Sequence, residues 1–272
     1  NDMRARELIL AAAVLAVPSV ASAGGMTYGG GPYVAGDNPG YVLFSGGEVA
    51  KNSWEAYDGG IFALNRNITT NGVLLRAMGS YGKYEYTNNT PGPNTEHDGR
   101  MLQGDLMLGY QWVTPDRHFA LYAGVDHIDH HISPADTSNP VSGNETGFKV
   151  AWETESNRSL PFYYALEGSY STAFDTYYVL GRLGANRNGL IIGPEAWALG
   201  DETGNATRLG AFLSFNTNLI RDHYSEVTLS AGYQWVDPGP DNCGTFFGSE
   251  GAYATLNFAI YLGGDRGHVP LK

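Results

Sequence analysis

Three of the chain's seven histidines fall within five residues, His127, His130 and His131, and Asp126 and Asp129 are interleaved with them. Imidazole beside carboxylate is the material of metal sites and of general acid–base pairs. On a strand, Asp126, Ile128 and His130 would share one face, and His127, Asp129 and His131 the other. Side chains two apart then sit ~6.6 Å from each other along the strand, and four apart ~13 Å. His127 with Asp129, or Asp129 with His131, could share an ion, whereas His127 and His131 could not without a bend. Zinc takes a closed set of about four ligands, and no second cluster of matching spacing appears, so no metal is expected. A general base needs a positioned partner, and nothing in the sequence supplies one. G-x-S-x-G is absent too, so no catalytic residue is assigned and no cofactor is called for. The plain reading of the run is the solvated end of a strand that continues into the polar loop 132–142. The functional reading makes His127, Asp129, His130 and His131 an outer-rim contact for a glycan or an ion. A hydrolase with His and Asp at such a rim is the enzymatic alternative.

A second candidate lies in "IGPEAWALG", where Glu195 and Trp197 share one face. An indole can stack on a sugar ring while a carboxylate takes its hydroxyls. The plain alternative is an interior salt bridge. Gly193-Pro194 just before it predicts a bulge, because proline removes a ladder donor.

The elements that would hold these groups follow from location. Arg4 and Arg6, the apolar stretch Leu8 to Val17 and Ala21-Ser22-Ala23 form a secretory signal peptide, residues 1–23. The apolar stretch is shorter than the ~20 residues a spanning helix needs. The formal charge of −12 is unchanged after cleavage, since two basic and two acidic residues leave together. An acidic chain with no basic patch excludes nucleic acid as a partner. Cys243 is the only cysteine, so no internal disulfide can form. Residues 24–39 are a Gly-rich periplasmic lead-in, and 263–272 form a C-terminal tail.

Period-two alternation sets the fold class. In "MLQGDLMLGYQW" the residues Leu102, Leu106, Leu108, Tyr110 and Trp112 oppose Gln103, Asp105 and Gln111; "SEVTLSAGYQW" and "PFYYALEGSYSTAF" repeat the pattern. Charge recurs mid-strand on the polar face, and aromatics cluster at the ends of the apolar face. A soluble sandwich wants neither; an outer-membrane barrel wants both. About twelve such runs lie near 40–50, 54–65, 72–86, 98–113, 118–131, 143–155, 161–174, 176–188, 189–200, 207–217, 224–236 and 250–262. The fold class is therefore all-β, a closed antiparallel outer-membrane barrel over 40–262, in contact with outer-membrane lipid. The longest connections, 87–97, 132–142, 201–206 and 237–249, all follow odd-numbered strands and so fall at one end, the outer one.

Register can be read at one turn. Asn188-Gly189 is the favoured pair of a two-residue hairpin turn, which places Arg182 opposite Glu195. If Phe174-Asp175 is also a two-residue loop, Glu167 falls opposite Arg182. The expected result is an interior ladder Glu167–Arg182–Glu195, with Lys149 extending it on the sixth strand.

"GGIFALN", "GVLLRAMGSYGKYEY", "GDLMLGYQW", "LYAGVDHIDHHISPADTSNPVSGNETGFKV", "YYALEGSYSTAFDTYYVLGRLG", "IGPEAWALG" and "TRLGAFLSF" together resemble the cellulose biosynthesis protein BcsS family, across roughly residues 41–262. The resemblance implies an outer-membrane barrel accessory to bacterial cellulose production and export. Its implied partners are a cellulose or other glucan chain and further subunits of the cellulose synthase complex. It carries no catalytic residues. Two functional classes follow, a lining or channel for a glucan and a non-conducting scaffold. An oligosaccharide-permeable channel unrelated to cellulose is the alternative outside the family.

Overall fold

In the computed structural model the described residues are 38–89, 92–217, 223–239 and 244–263. The expected signal peptide, most of the lead-in, Cys243 and nearly all of the tail lie outside them. Twelve strands follow one another: β1 (Tyr41–Lys51), β2 (Ser53–Ala63), β3 (Gly72–Asn88), β4 (Thr95–Val113), β5 (Arg117–Ser133), β6 (Gly143–Ser156), β7 (Phe162–Ser171), β8 (Tyr177–Arg187), β9 (Leu190–Asp201), β10 (Gly204–Thr217), β11 (Ser225–Pro238) and β12 (Ser249–Leu262). Each pairs antiparallel with its sequence neighbour, and β1 pairs with β12, so the sheet closes into a barrel.

The alternation seen in the sequence becomes two surfaces. Leu102, Leu106, Leu108, Val125, Phe148, Leu183, Ile192, Leu209, Leu229 and Leu256 stand exposed on the outside. Aromatic pairs bound this band at both rims. Trp54–Tyr81 and Tyr233–Trp235 lie at one, Tyr41–Phe62, Tyr110–Trp112 and Trp112–Phe119 at the other, with ring centroids 4.9–5.7 Å apart. An apolar belt between aromatic girdles around a closed sheet is the surface of a membrane-spanning barrel. The even strand number brings β1 and β12 to the same rim at Tyr41 and Leu262, which by the convention of such barrels is the periplasmic one.

The connections differ from expectation. The β9–β10 connection is a tight turn at 202–203, because β9 runs to Asp201 and β10 starts at Gly204. One longer connection, 64–71, lies at the periplasmic rim, so loop length does not sort strictly by side. The segment 64–71 has a reason to be long. Ile68 is buried in the periplasmic mouth, its N–H bonds to Pro39, and Gln111 Nε2 donates to the carbonyls of Ile68 and Thr70. The expected bulge at Gly193-Pro194 is absent: β9 and β10 keep one register from Leu190 to Asp201. Pro194 faces out, and the β8–β9 ladder skips Leu183–Gly184 opposite it without slipping.

Candidate functional site

The inward faces converge on a lumen filled with ion pairs and rings. On β8 and β9, Arg182 lies opposite Glu195, as the two-residue turn requires, and Asn188 and Gly189 both have positive φ. Arg182 Nε donates to Glu195 Oε2 at 2.8 Å, and its Nη2 donates to Ser230 at 3.1 Å. Glu195 also accepts from Ser230 and from Tyr253, at 2.8 Å each. On β10, Arg208 donates to Gln234 and to Glu48. Both guanidiniums lie over Trp197, at 6.0 and 5.7 Å; Phe212 adds a face to Arg182 and Tyr253 one to Arg208.

Glu167 does not join this ladder. It faces Leu180, and Arg182 faces Ala165. The cause is the β7–β8 connection, which spans 172–176 and contains a short 3-10 turn, Ala173–Asp175, rather than a two-residue loop. Glu167 instead stands directly opposite Glu153, deeply buried, with one carboxylate oxygen lacking any hydrogen bond. Lys149 does not extend the ladder either. Its ammonium lies 2.8 Å from Asp105 on β4 and 3.5 Å from Asp126 on the adjacent β5, and Arg76 completes that group at 3.5 Å from Asp105.

Each end of the lumen carries its own group. At the periplasmic end Arg158 reaches in from the β6–β7 connection to Glu155, Glu226 and Ser214, stacked on Tyr163. At the outer end Phe246 and Phe247 of the β11–β12 connection, Phe174 of the 3-10 turn, Tyr84 and His130 pack together. Gln234 holds the Phe247 and Ser249 carbonyls at 2.8 and 2.7 Å. Two cavities among the described side chains of the lumen measure about 70 and 10 Å³. These volumes suit a few waters; small-molecule pockets run to ~300–1,000 Å³.

The sequence candidates are therefore scattered. Trp197 and Glu195 are 3% and 2% exposed, and the indole is covered by arginines, so neither faces a place a sugar could reach. In the histidine run, His130 points inward, bonds Tyr84 and lies among aromatic rings. His127, Asp129 and His131 point outward above Val125, the last large apolar residue on that strand's outer face, and His127 bonds Thr146. The strand pleat thus divides the run between two faces. Among the described residues no three His, Cys, Asp or Glu side chains converge as metal ligands.

Sequence reasoning missed an outer cluster built across two connections. Asp136 accepts from Tyr86 (2.8 Å), Asn88 (2.6 Å) and Ser138, tying the 134–142 connection to the β3–β4 hairpin. His97 stacks on Tyr86 and bonds the Pro134 carbonyl and Asn88. Burial works to raise the Asp136 pKa, but the bonds from Ser138, Tyr86 and Asn88 prevail and hold it below the ordinary value. Beside this cluster an open cleft of about 570 Å³ runs over the short β1–β2 turn. Asn52, Glu85, Tyr86, Glu96, His97, Asp98 and Glu250 line it. The only advance signal was the alternation of "YEYTNN" and "TEHDGR" continuing beyond the apolar band.

These features define a membrane-spanning β-barrel of outer-membrane type whose lumen carries buried ion pairs and aromatic rings. The model of one family, "Cellulose biosynthesis protein BcsS", matches residues 42–262, and the chain belongs to that family. It is thus an outer-membrane barrel of cellulose biosynthesis. No curated protein matches the chain. Among solved structures, LpxR from Salmonella typhimurium is 11% identical with a TM-score of 0.44, over 82% of this chain and 100% of that one. The β domain of the Bordetella autotransporter BrkA is 13% identical with a TM-score of 0.40, over 82% and 98%. Likeness of that degree says nothing of activity.

Proposed function

We propose that this barrel is a non-catalytic, non-conducting scaffold of cellulose secretion, which meets the glucan or the secretion machinery at its outer rim rather than passing a chain through its lumen. The observation that carries this reading is the closed lumen. Buried ion pairs along β3–β6 and β8–β9 and a group of side chains at each end fill the lumen, and two cavities among them, of about 70 and 10 Å³, are too small for a sugar ring. The cleft of about 570 Å³ at the outer rim is large enough for a few sugar units, and it offers Tyr86 beside the carboxylates Glu85, Glu96 and Asp98. His127, Asp129 and His131 add polar groups on the outward face nearby. Trp197 and Glu195 belong to the wall and not to a sugar subsite.

Planar-bilayer recording of the purified protein tests this. The wild type is expected to show no stepwise conductance, with or without cello-oligosaccharides. Stepwise openings blocked by cello-oligosaccharides would establish a channel and overturn the scaffold reading.

A further inference from the structure

Asp58 places a carboxylate on the lipid-facing side of β2. It is the central residue of that strand. Its neighbour Tyr57 is buried in the lumen, and a Cβ on Gly59 would run into the Phe44 ring, so the pleat turns Asp58 outward. Trp54 toward the outer girdle and Phe62 toward the periplasmic one each lie four residues away, ~14 Å along the strand. Asp58 therefore sits midway through the apolar belt. Among the described residues its side chain has no hydrogen bond or ion pair. An ionisable group facing lipid near mid-depth is costly and marks a functional site by default.

The surroundings are unlike the rest of the belt. Ser45 stands directly opposite Asp58 on β1, Gly79 opposite it on β3, and Gly104 beyond that on β4. A Cβ at Gly79 or Gly104 would meet only a backbone carbonyl at 3.8 Å, so interior crowding does not demand glycine at either place. Elsewhere the same belt carries large side chains such as Leu209, Leu229 and Leu256. The wall is a shallow notch holding one acceptor, Asp58, and one adjacent donor, the Ser45 hydroxyl. That hydroxyl also has no partner among the described residues.

We infer that this face is where two copies of the chain meet side by side in the membrane. A twofold axis along the membrane normal keeps every residue at its own depth. It sets Ser45 of one copy against Asp58 of the other, and the reverse contact follows by symmetry. The glycines let the two walls approach closely, as small residues do wherever membrane-spanning elements pack. A patch carrying both donor and acceptor is complementary to itself, and that selects a second copy over a cationic partner.

The test uses the full chain with Cys243→Ser as background, oxidised with copper phenanthroline in outer membranes. Ala56→Cys, one outward step from Asp58, is compared with Leu209→Cys on β10. A disulfide-linked species of twice the chain mass is expected from Ala56→Cys, at about ten-fold the yield of Leu209→Cys. Adding Asp58→Leu to Ala56→Cys is expected to cut the yield about ten-fold while the heat-modifiable folded band persists. Adding Asp58→Asn, which keeps an acceptor and gains a donor, is expected to preserve the yield. Light scattering of the wild type in mild detergent is expected to give twice the chain mass. Equal yields at the two cysteines, an adduct with a different protein, an unchanged yield with Asp58→Leu, or a monomeric mass would each overturn the inference.

Discussion

Replacing Arg182 with alanine removes a charge-assisted bond to Glu195, a bond to Ser230 and a cation held over Trp197 and Phe212. Glu195 stays behind with Ser230 and Tyr253 as its donors and no cation. Breaking a buried pair from one side costs ~3–5 kcal/mol, and the two surviving bonds place the loss at the lower end. The lost ring contacts add ~0.5–2 kcal/mol. A total near ~4 kcal/mol, at ~2–4 °C per kcal/mol for a barrel of this size, lowers the unfolding midpoint by roughly 10 °C. The assay is the temperature at which the folded band converts to the unfolded one on gels, checked by urea unfolding in detergent. Arg182→Met with Glu195→Leu is the informative control. Replacing both charges by apolar groups of similar volume is often neutral, so the double variant should unfold within a few degrees of the wild type. A midpoint for Arg182→Ala indistinguishable from wild type, or a double variant as weak as the single, would refute the view that the pair braces the wall.

Three further outcomes are expected. Glu167→Gln should leave the same midpoint unchanged or raise it by ~2–4 °C, about 1 kcal/mol, because Glu167 stands opposite Glu153 with an unbonded oxygen, whereas Glu195→Gln should lower it. Gly189→Val should cost ~1–2 kcal/mol, because φ at Gly189 is +86° in the tight β8–β9 turn and a β-branched residue resists that region. The hydrogen bonds that hold Asp136 below its ordinary pKa tie the 134–142 connection in place above the unfolded carboxylate value and release it as the pH falls through the lower folded one. Limited proteolysis should find that connection protected at neutral and mildly acidic pH and cut only once the pH has fallen below the ordinary aspartate range, and Asp136→Asn should remove the pH dependence.

What the sequence disclosed depended on range. Strand positions and facing were legible because alternation is local, and the Arg182–Glu195 register was legible because Asn188-Gly189 admits one tight geometry. The β7–β8 register was not, since "AFDT" has no comparable signal. Phe174 and Asp175 take positive φ without glycine, and Phe174 turns inward to join the outer plug. Widening that one connection moved Glu167 away from Arg182. The partners of Lys149 were hidden for a different reason: Asp126 and Asp105 lie one and two strands away, and nothing local says which inward cation reaches which inward acid. The histidine run drew attention by composition, yet the pleat splits it between the aromatic plug and the outside.

The join between β1 and β12 has a consequence for biogenesis. Tyr41 through Ala50 are matched with Leu262 back to Tyr253, so the first strand finds half of its main-chain partners only in the last. A nascent chain halted before Ser249 would expose two raw sheet edges in hydrocarbon, which no bilayer tolerates. Insertion must therefore end in a single fastening step once the whole chain has been delivered. Until then, something outside the chain has to shelter the open margins.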